Sequence, residues 1–105
     1  IHGTNDKTIL FEGSGPADGG PFEGSRWHPS APKTVKFWEE KSLCTGNDYK
    51  KSFFRSTLGR KVNVKKKYGC MENSKVEFWT IEGASHYYYL GLREVKKVFD
   101  FFEII

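Results

Sequence analysis

No stretch of this sequence approaches the roughly 18 consecutive apolar residues that a membrane-spanning helix needs, so no helical anchor and no membrane partner are expected. Cysteine is scarce. Cys44 and Cys70 are the only two, and neither belongs to a Cys-x-x-Cys pair. Three histidines spread along the chain give no metal-ligand spacing, so no metal site is expected. Free thiols and a bridge both stay open for two cysteines alone. A bridge would tie a loop worth about 3–4 kcal/mol in the chain-entropy picture. Zinc-finger spacing, an RNA-binding aromatic signature and a heptad-repeat basic helix are likewise absent. The formal charge of +4, from 17 Lys plus Arg against 13 Asp plus Glu, is therefore read as solvated surface, with attraction to an acidic polymer as the lesser alternative and no nucleic-acid partner. Neither an initiator methionine nor a basic-then-apolar leader precedes Ile1-His2-Gly3, and the start is read as a truncation or processing point.

What the chain does have is aromatic bulk: nine Phe, five Tyr and three Trp, too many for a disordered tail. In 105 residues this suits one small domain with a modest core. Ile1 reads as a strand end, His2 to Asp6 as the turn after it, and Thr8-Ile9-Leu10-Phe11 as a short apolar continuation. From Glu12 to Pro32, five glycines and all four prolines leave no period, which predicts a long surface loop. Ser30-Ala31-Pro32 predicts a helix start, with Val35, Trp38 and Ser42 on its inner side and an end near Gly46. Residues 47–61 are polar and ambiguous. Val62, Val64 and Tyr68 alternate with lysines as a half-wet strand, and Val76 to Ile81 predicts a second one. Leu92, Val95, Phe99 and Phe102 space out the apolar face of a closing amphipathic helix. Strand, loop, helix, strand, strand, helix is an incomplete α/β layer, since a helix with an apolar stripe needs more sheet than this to cover.

Two residues stand where chemistry is usually built in such sheets, just past strand ends. Asp6 follows the first strand, and His86 follows Val76 to Ile81 in a Gly-x-Ser-His turn. An imidazole can accept a proton from a hydroxyl and return it to a leaving group, and a carboxylate on its far nitrogen fixes the tautomer. Each residue alone also has a plainer reading, Asp6 as a turn cap and His86 as an ordinary turn or core histidine. His2 is expected to hydrogen-bond within the strand end, and His28 to lie in the loop beside Trp27. Ser14 and Ser85 lack the Gly-x-Ser-x-Gly elbow of a nucleophile, a pattern found nowhere in the chain.

Four stretches together make a more specific pattern. They are His2-Gly3-Thr4-Asn5-Asp6; Val35-Lys36-Phe37-Trp38 followed by Cys44; Tyr68-Gly69-Cys70; and Val76-Glu77-Phe78-Trp79-Thr80-Ile81-Glu82-Gly83-Ala84-Ser85-His86. This pattern resembles the C-terminal part of the polyhydroxybutyrate depolymerase and feruloyl/acetylxylan esterase group of secreted α/β-hydrolases. The resemblance runs from Ile1 to about His86 and loosens in the terminal helix.

The resemblance implies an α/β fold in which residues 1–105 are the C-terminal portion of a hydrolase catalytic domain, a sheet with flanking helices. It implies Asp6 as triad acid, His86 as triad base, a Cys44–Cys70 disulfide and an extracellular setting. The serine nucleophile and the rest of the domain would lie upstream. No cofactor is implied. The implied substrates are plant polysaccharide esters or hydroxyalkanoate polymers. Where the group usually continues past its histidine with a Trp-Pro-Gly-like turn, this chain has Tyr87-Tyr88-Tyr89-Leu90-Gly91, so those tyrosines and Trp27 are candidates for the substrate rim. A His-Gly-x-x-Asp turn and a later Gly-x-x-His also occur in prolyl-oligopeptidase-like peptidases, which leaves a peptidase fragment as one alternative and a non-catalytic polysaccharide-binding or structural module as another.

Overall fold

The computed structural model describes residues 1–14, 28–44 and 49–102. Its elements are β1 (His2–Gly3), α1 (Ala31–Lys41), β2 (Tyr49–Arg55), β3 (Lys61–Lys67), a 3-10 turn (Met71–Asn73), β4 (Val76–Ile81) and α2 (Leu92–Phe101). The four strands form one mixed sheet in the order β1-β4-β3-β2. β1 runs parallel to β4, with His2 opposite Thr80 and Gly3 opposite Ile81, and the other pairings are antiparallel.

Alternation divides the sheet into two faces. Val62, Val64, Trp79 and Ile81 point to one of them and form a buried core with Ala84, against which Phe54, Tyr88, Leu90 and Val98 pack. α2 covers that face. α1 lies on the other, where Glu39 accepts a 2.8 Å hydrogen bond from the Tyr49 hydroxyl of β2.

α1 starts where Ser30 predicts it. The Ser30 Oγ accepts from the Lys33 N–H at 3.1 Å, and Pro32 sits in the first turn, where its missing N–H costs nothing. Its end differs from expectation. Leu43 takes a left-handed φ of 51°, with Leu43 N–H bonded to Glu40 O and Cys44 N–H to Glu39 O, a Schellman closure. Gly46, the expected stop, lies outside the described residues. The closure delivers Cys44 to Cys70, and the two are bonded as a disulfide. The helix also turns differently, with Ala31 and Glu39 buried and Trp38 55% exposed.

Thr8 to Phe11 is a set of turns rather than a strand continuation, because the Asp6 carboxylate captures the N–H groups of Thr8 and Ile9 and folds the chain back. The ambiguous segment 47–61 contains β2 and a three-residue hairpin loop, Thr57-Leu58-Gly59, with Gly59 at φ 84°. Ser56 N–H donates to Arg60 O at 2.8 Å, closing a type of loop built on a glycine in the left-handed region.

α2 forms where its apolar spacing predicts, but not in the predicted orientation. Leu92 is 91% exposed and Phe99 and Phe102 are exposed, while Glu94 is fully buried. The reason is that Glu94, at the third position of the helix, turns its carboxylate back to the N–H of the Gly91 cap and into the core. The Glu94 carboxylate accepts from Thr57 N–H at 2.6 Å and from the Thr57 hydroxyl at 2.7 Å, clamping the hairpin loop to the helix start. Burial raises the Glu94 pKa, but these bonds and those from the Gly91 and Glu94 N–H groups outweigh it, and the net shift is downward. A lowered carboxyl pKa in the folded state stabilises the fold above the ordinary glutamate pKa of about 4.3 and stops doing so as pH falls through the folded value. Glu94→Gln should therefore cost about 2 kcal/mol near neutrality. It should also flatten the loss of stability below about pH 4.3. Urea midpoints measured from pH 7 down to 3 check both, and parallel curves for the two proteins would refute the clamp.

Candidate active site

Parallel pairing of β1 with β4 brings their carboxyl ends to the same rim, and the chain past each end is laced to the other. Thr4 N–H donates to Ile81 O at 3.1 Å, Asn5 N–H to Ala84 O at 2.9 Å, and Gly83 N–H to the Thr4 hydroxyl at 2.7 Å. Gly3 permits the approach, because a Cβ there would lie 2.4 Å from Ala84 O and 2.7 Å from Ser85 O. Gly83, at φ 73°, makes the turn that follows β4.

These two turns bring Asp6 and His86 together across 80 residues of chain: His86 Nδ1 lies 2.9 Å from Asp6 Oδ2. With Nδ1 protonated, the ring donates to the carboxylate and leaves Nε2 as the free acceptor. Among the described residues nothing bonds to Nε2, and the His86 side chain is 37% exposed. Asp6 is buried, and its other oxygen accepts from Thr8 N–H at 2.9 Å and Ile9 N–H at 2.8 Å. The turn-cap reading of Asp6 and the pairing reading thus hold together, one on each oxygen. Burial pushes the Asp6 pKa up, and the bonds from His86, Ile9 and Thr8 more than offset it, so the carboxyl stays ionised below its ordinary range.

His2 supports the same turn. Its Nε2 lies 2.8 Å from Ile9 O, to which it donates, and 3.4 Å from Asp6 Oδ2. It therefore reaches across the turn rather than bonding within the strand end. Only the spacing of His2 and Asp6 hints at this contact in the local pattern. His28 bridges to Ser14 through its backbone, and its Nδ1 lies 3.0 Å from Pro29 O.

The three tyrosines after His86 separate. Tyr87 is exposed and sets its ring edge-on to the imidazole at 5.0 Å between centroids. Tyr88 turns into the core, where burial and then the negative charge of Asp6 raise its phenol pKa. Tyr89 is exposed. Tyr87 is thus the rim candidate in contact with His86, and Tyr88 is core. Trp27 lies outside the described residues. The Ser85 hydroxyl is directed at Tyr87 O, 3.5 Å away. Among the described residues no group of three His, Cys, Asp or Glu could hold a metal ion, and no helix is long and apolar enough to cross a membrane.

A buried, ionised carboxylate on Nδ1 and an open Nε2 make an imidazole that can take a proton from a hydroxyl and shelter the resulting charge. Comparison of the chain with protein-family models, curated proteins and solved structures finds no match.

Proposed function

We propose that Asp6 and His86 are the acid and base of a Ser-His-Asp triad. The 105 residues would then be the C-terminal portion of a secreted α/β-hydrolase that cleaves carboxylic esters, of the polyhydroxybutyrate depolymerase and feruloyl/acetylxylan esterase kind. The 2.9 Å contact from His86 Nδ1 to a buried carboxylate, at the ends of neighbouring parallel strands, carries the reading. The order Asp before His along the chain is that of an α/β-hydrolase, in which the serine comes first. The disulfide supports an oxidising compartment.

An upstream remainder of the domain is supported by surface that this part leaves uncovered. Among the described residues β1 is an edge strand, and beside it runs an apolar groove of about 840 Å³ whose walls include Ile9, Val35, Trp38, Phe78 and Phe102. In the whole domain the upstream serine attacks the ester carbonyl while His86 Nε2 takes its proton. The alcohol or sugar hydroxyl leaves with that proton, and water repeats the cycle on the acyl-enzyme. Oxyanion donors would come from upstream backbone N–H groups. The exposed Tyr87 ring beside His86 would contact the acyl or leaving group.

The 105-residue chain alone should not turn over an aryl ester. Saturable hydrolysis at or above about 1 s⁻¹ that disappears in His86→Ala would show a nucleophile within these residues. Feruloyl, acetyl and short hydroxyacid esters, assayed beside a prolyl peptide on the full-length protein, separate esterase from peptidase. Cleavage of the peptide alone would overturn the ester reading.

A further inference from the structure

The face of the β2–β3 hairpin away from the core carries a charge arrangement that folding does not explain. In register, Lys51 stands directly opposite Lys65, and Arg55 directly opposite Lys61. Like charges directly opposite each other across strands destabilise a sheet. Local acids do not relieve them. Among the described residues no carboxylate lies within 4.0 Å of the charged nitrogens of Lys51, Arg55, Lys61 or Lys65. Among the described residues, Glu39 is engaged by the Tyr49 hydroxyl and Glu82 by the Asn63 amide at 3.0 Å, and Glu40, which shares a hollow with Lys65, lies more than 4.0 Å from its Nζ. The lysines settle instead on rings, Lys61 Nζ 4.7 Å above Phe53 and Lys65 Nζ 3.9 Å above Tyr49. Phe53 remains 62% exposed. An open hollow of about 240 Å³ lies between Lys51, Asn63, Lys65, Phe78 and Thr80.

We propose that this face is a docking surface for a carboxylate-bearing polysaccharide, with Lys51, Lys65, Lys61 and Arg55 pairing with successive uronate groups. A polyanion lying along the hairpin replaces two repulsive cross-strand pairs with attractive ones and releases its own counterions, so binding gains from the arrangement that costs the free fold. Single-stranded nucleic acid fits less well. It needs successive open rings for its bases, whereas Lys65 and Lys67 cover the Tyr49 ring and Lys61 lies over Phe53. The choice of a polysaccharide rests on the proposed ester-hydrolase reading, while the charge argument stands without it.

The test measures binding of the full-length protein to soluble polygalacturonate at low salt, beside neutral xylan and a single-stranded oligonucleotide. The double variant Lys51→Gln/Lys65→Gln is compared with the charge-matched control Lys7→Gln/Lys33→Gln. The expected result is salt-sensitive binding to polygalacturonate, weakened at least about tenfold in the first variant and little changed in the control, with the thermal midpoint of the ligand-free first variant equal to or above wild type. Equal loss in the two variants would reduce the effect to net charge and overturn the proposal. So would binding to xylan as tight as to polygalacturonate, tighter binding of the oligonucleotide, or a lowered midpoint of the free first variant. None of these readings depends on hydrolysis, so the docking surface and the triad can fail separately.

Discussion

Asp6→Asn in the full-length protein is expected to lower kcat about 10⁴-fold while the fold survives. Asn can still accept from Thr8 and Ile9 N–H through its amide oxygen, so the turn cap is retained. The group facing His86 changes in kind. An amide N–H there donates where the carboxylate accepted, and the imidazole moves its proton to Nε2, the nitrogen that must be free to act as base. The negative charge that shelters the imidazolium is lost as well. Steady-state kinetics on an aryl ester, with circular dichroism to confirm folding, measures this. A folded Asp6→Asn protein within about tenfold of wild type, well short of what a triad acid contributes, would leave Asp6 as a turn cap only.

Gly3→Ala should cost on the order of 3 kcal/mol or more, a large effect for one added methyl group. The new Cβ would stand 2.4 Å from Ala84 O, and that oxygen belongs to backbone already bonded to Asn5 N–H at 2.9 Å. Relief therefore requires separating the two turns that hold Asp6 against His86. Stability and the Asp6–His86 contact should fail together, and Gly3→Val should do more damage than Gly3→Ala. Denaturant midpoints report the first, and the imidazole Nδ1–H resonance reports the second. An Ala variant as stable as wild type would mean that the turns are not tightly laced.

The features that the sequence made legible are those written in local chemistry. Ser30 with Pro32 marks the start of α1, the Val76 to Ile81 run marks β4, and the spacing of Leu92 to Phe102 marks the existence of α2. What stayed hidden depends on partners distant in the chain. β2 reads Tyr-Lys-Lys-Ser-Phe-Phe-Arg, too charged to look like a strand, and it becomes one because β3 supplies its ladder. The rotation of α2 follows from Glu94 reaching Thr57, 37 residues away, which an apolar stripe cannot reveal. Thr8 to Phe11 has strand-like composition, and a single carboxylate oxygen on Asp6 folds it into turns. Local pattern puts Asp6 and His86 just past strand ends but leaves a plainer reading open for each. The resemblance pairs them, and in the structure they lie 2.9 Å apart.

The central claim is that His86, oriented by Asp6, activates a serine carried elsewhere in the same protein. Treating the full-length protein with a fluorophosphonate and mapping the adduct by mass spectrometry tests it most directly. The account predicts a single adduct, on the serine of a Gly-x-Ser-x-Gly elbow upstream of Asp6, forming rapidly in wild type and not in His86→Ala. No adduct on the folded wild-type protein, or one that forms equally fast in His86→Ala, would contradict it.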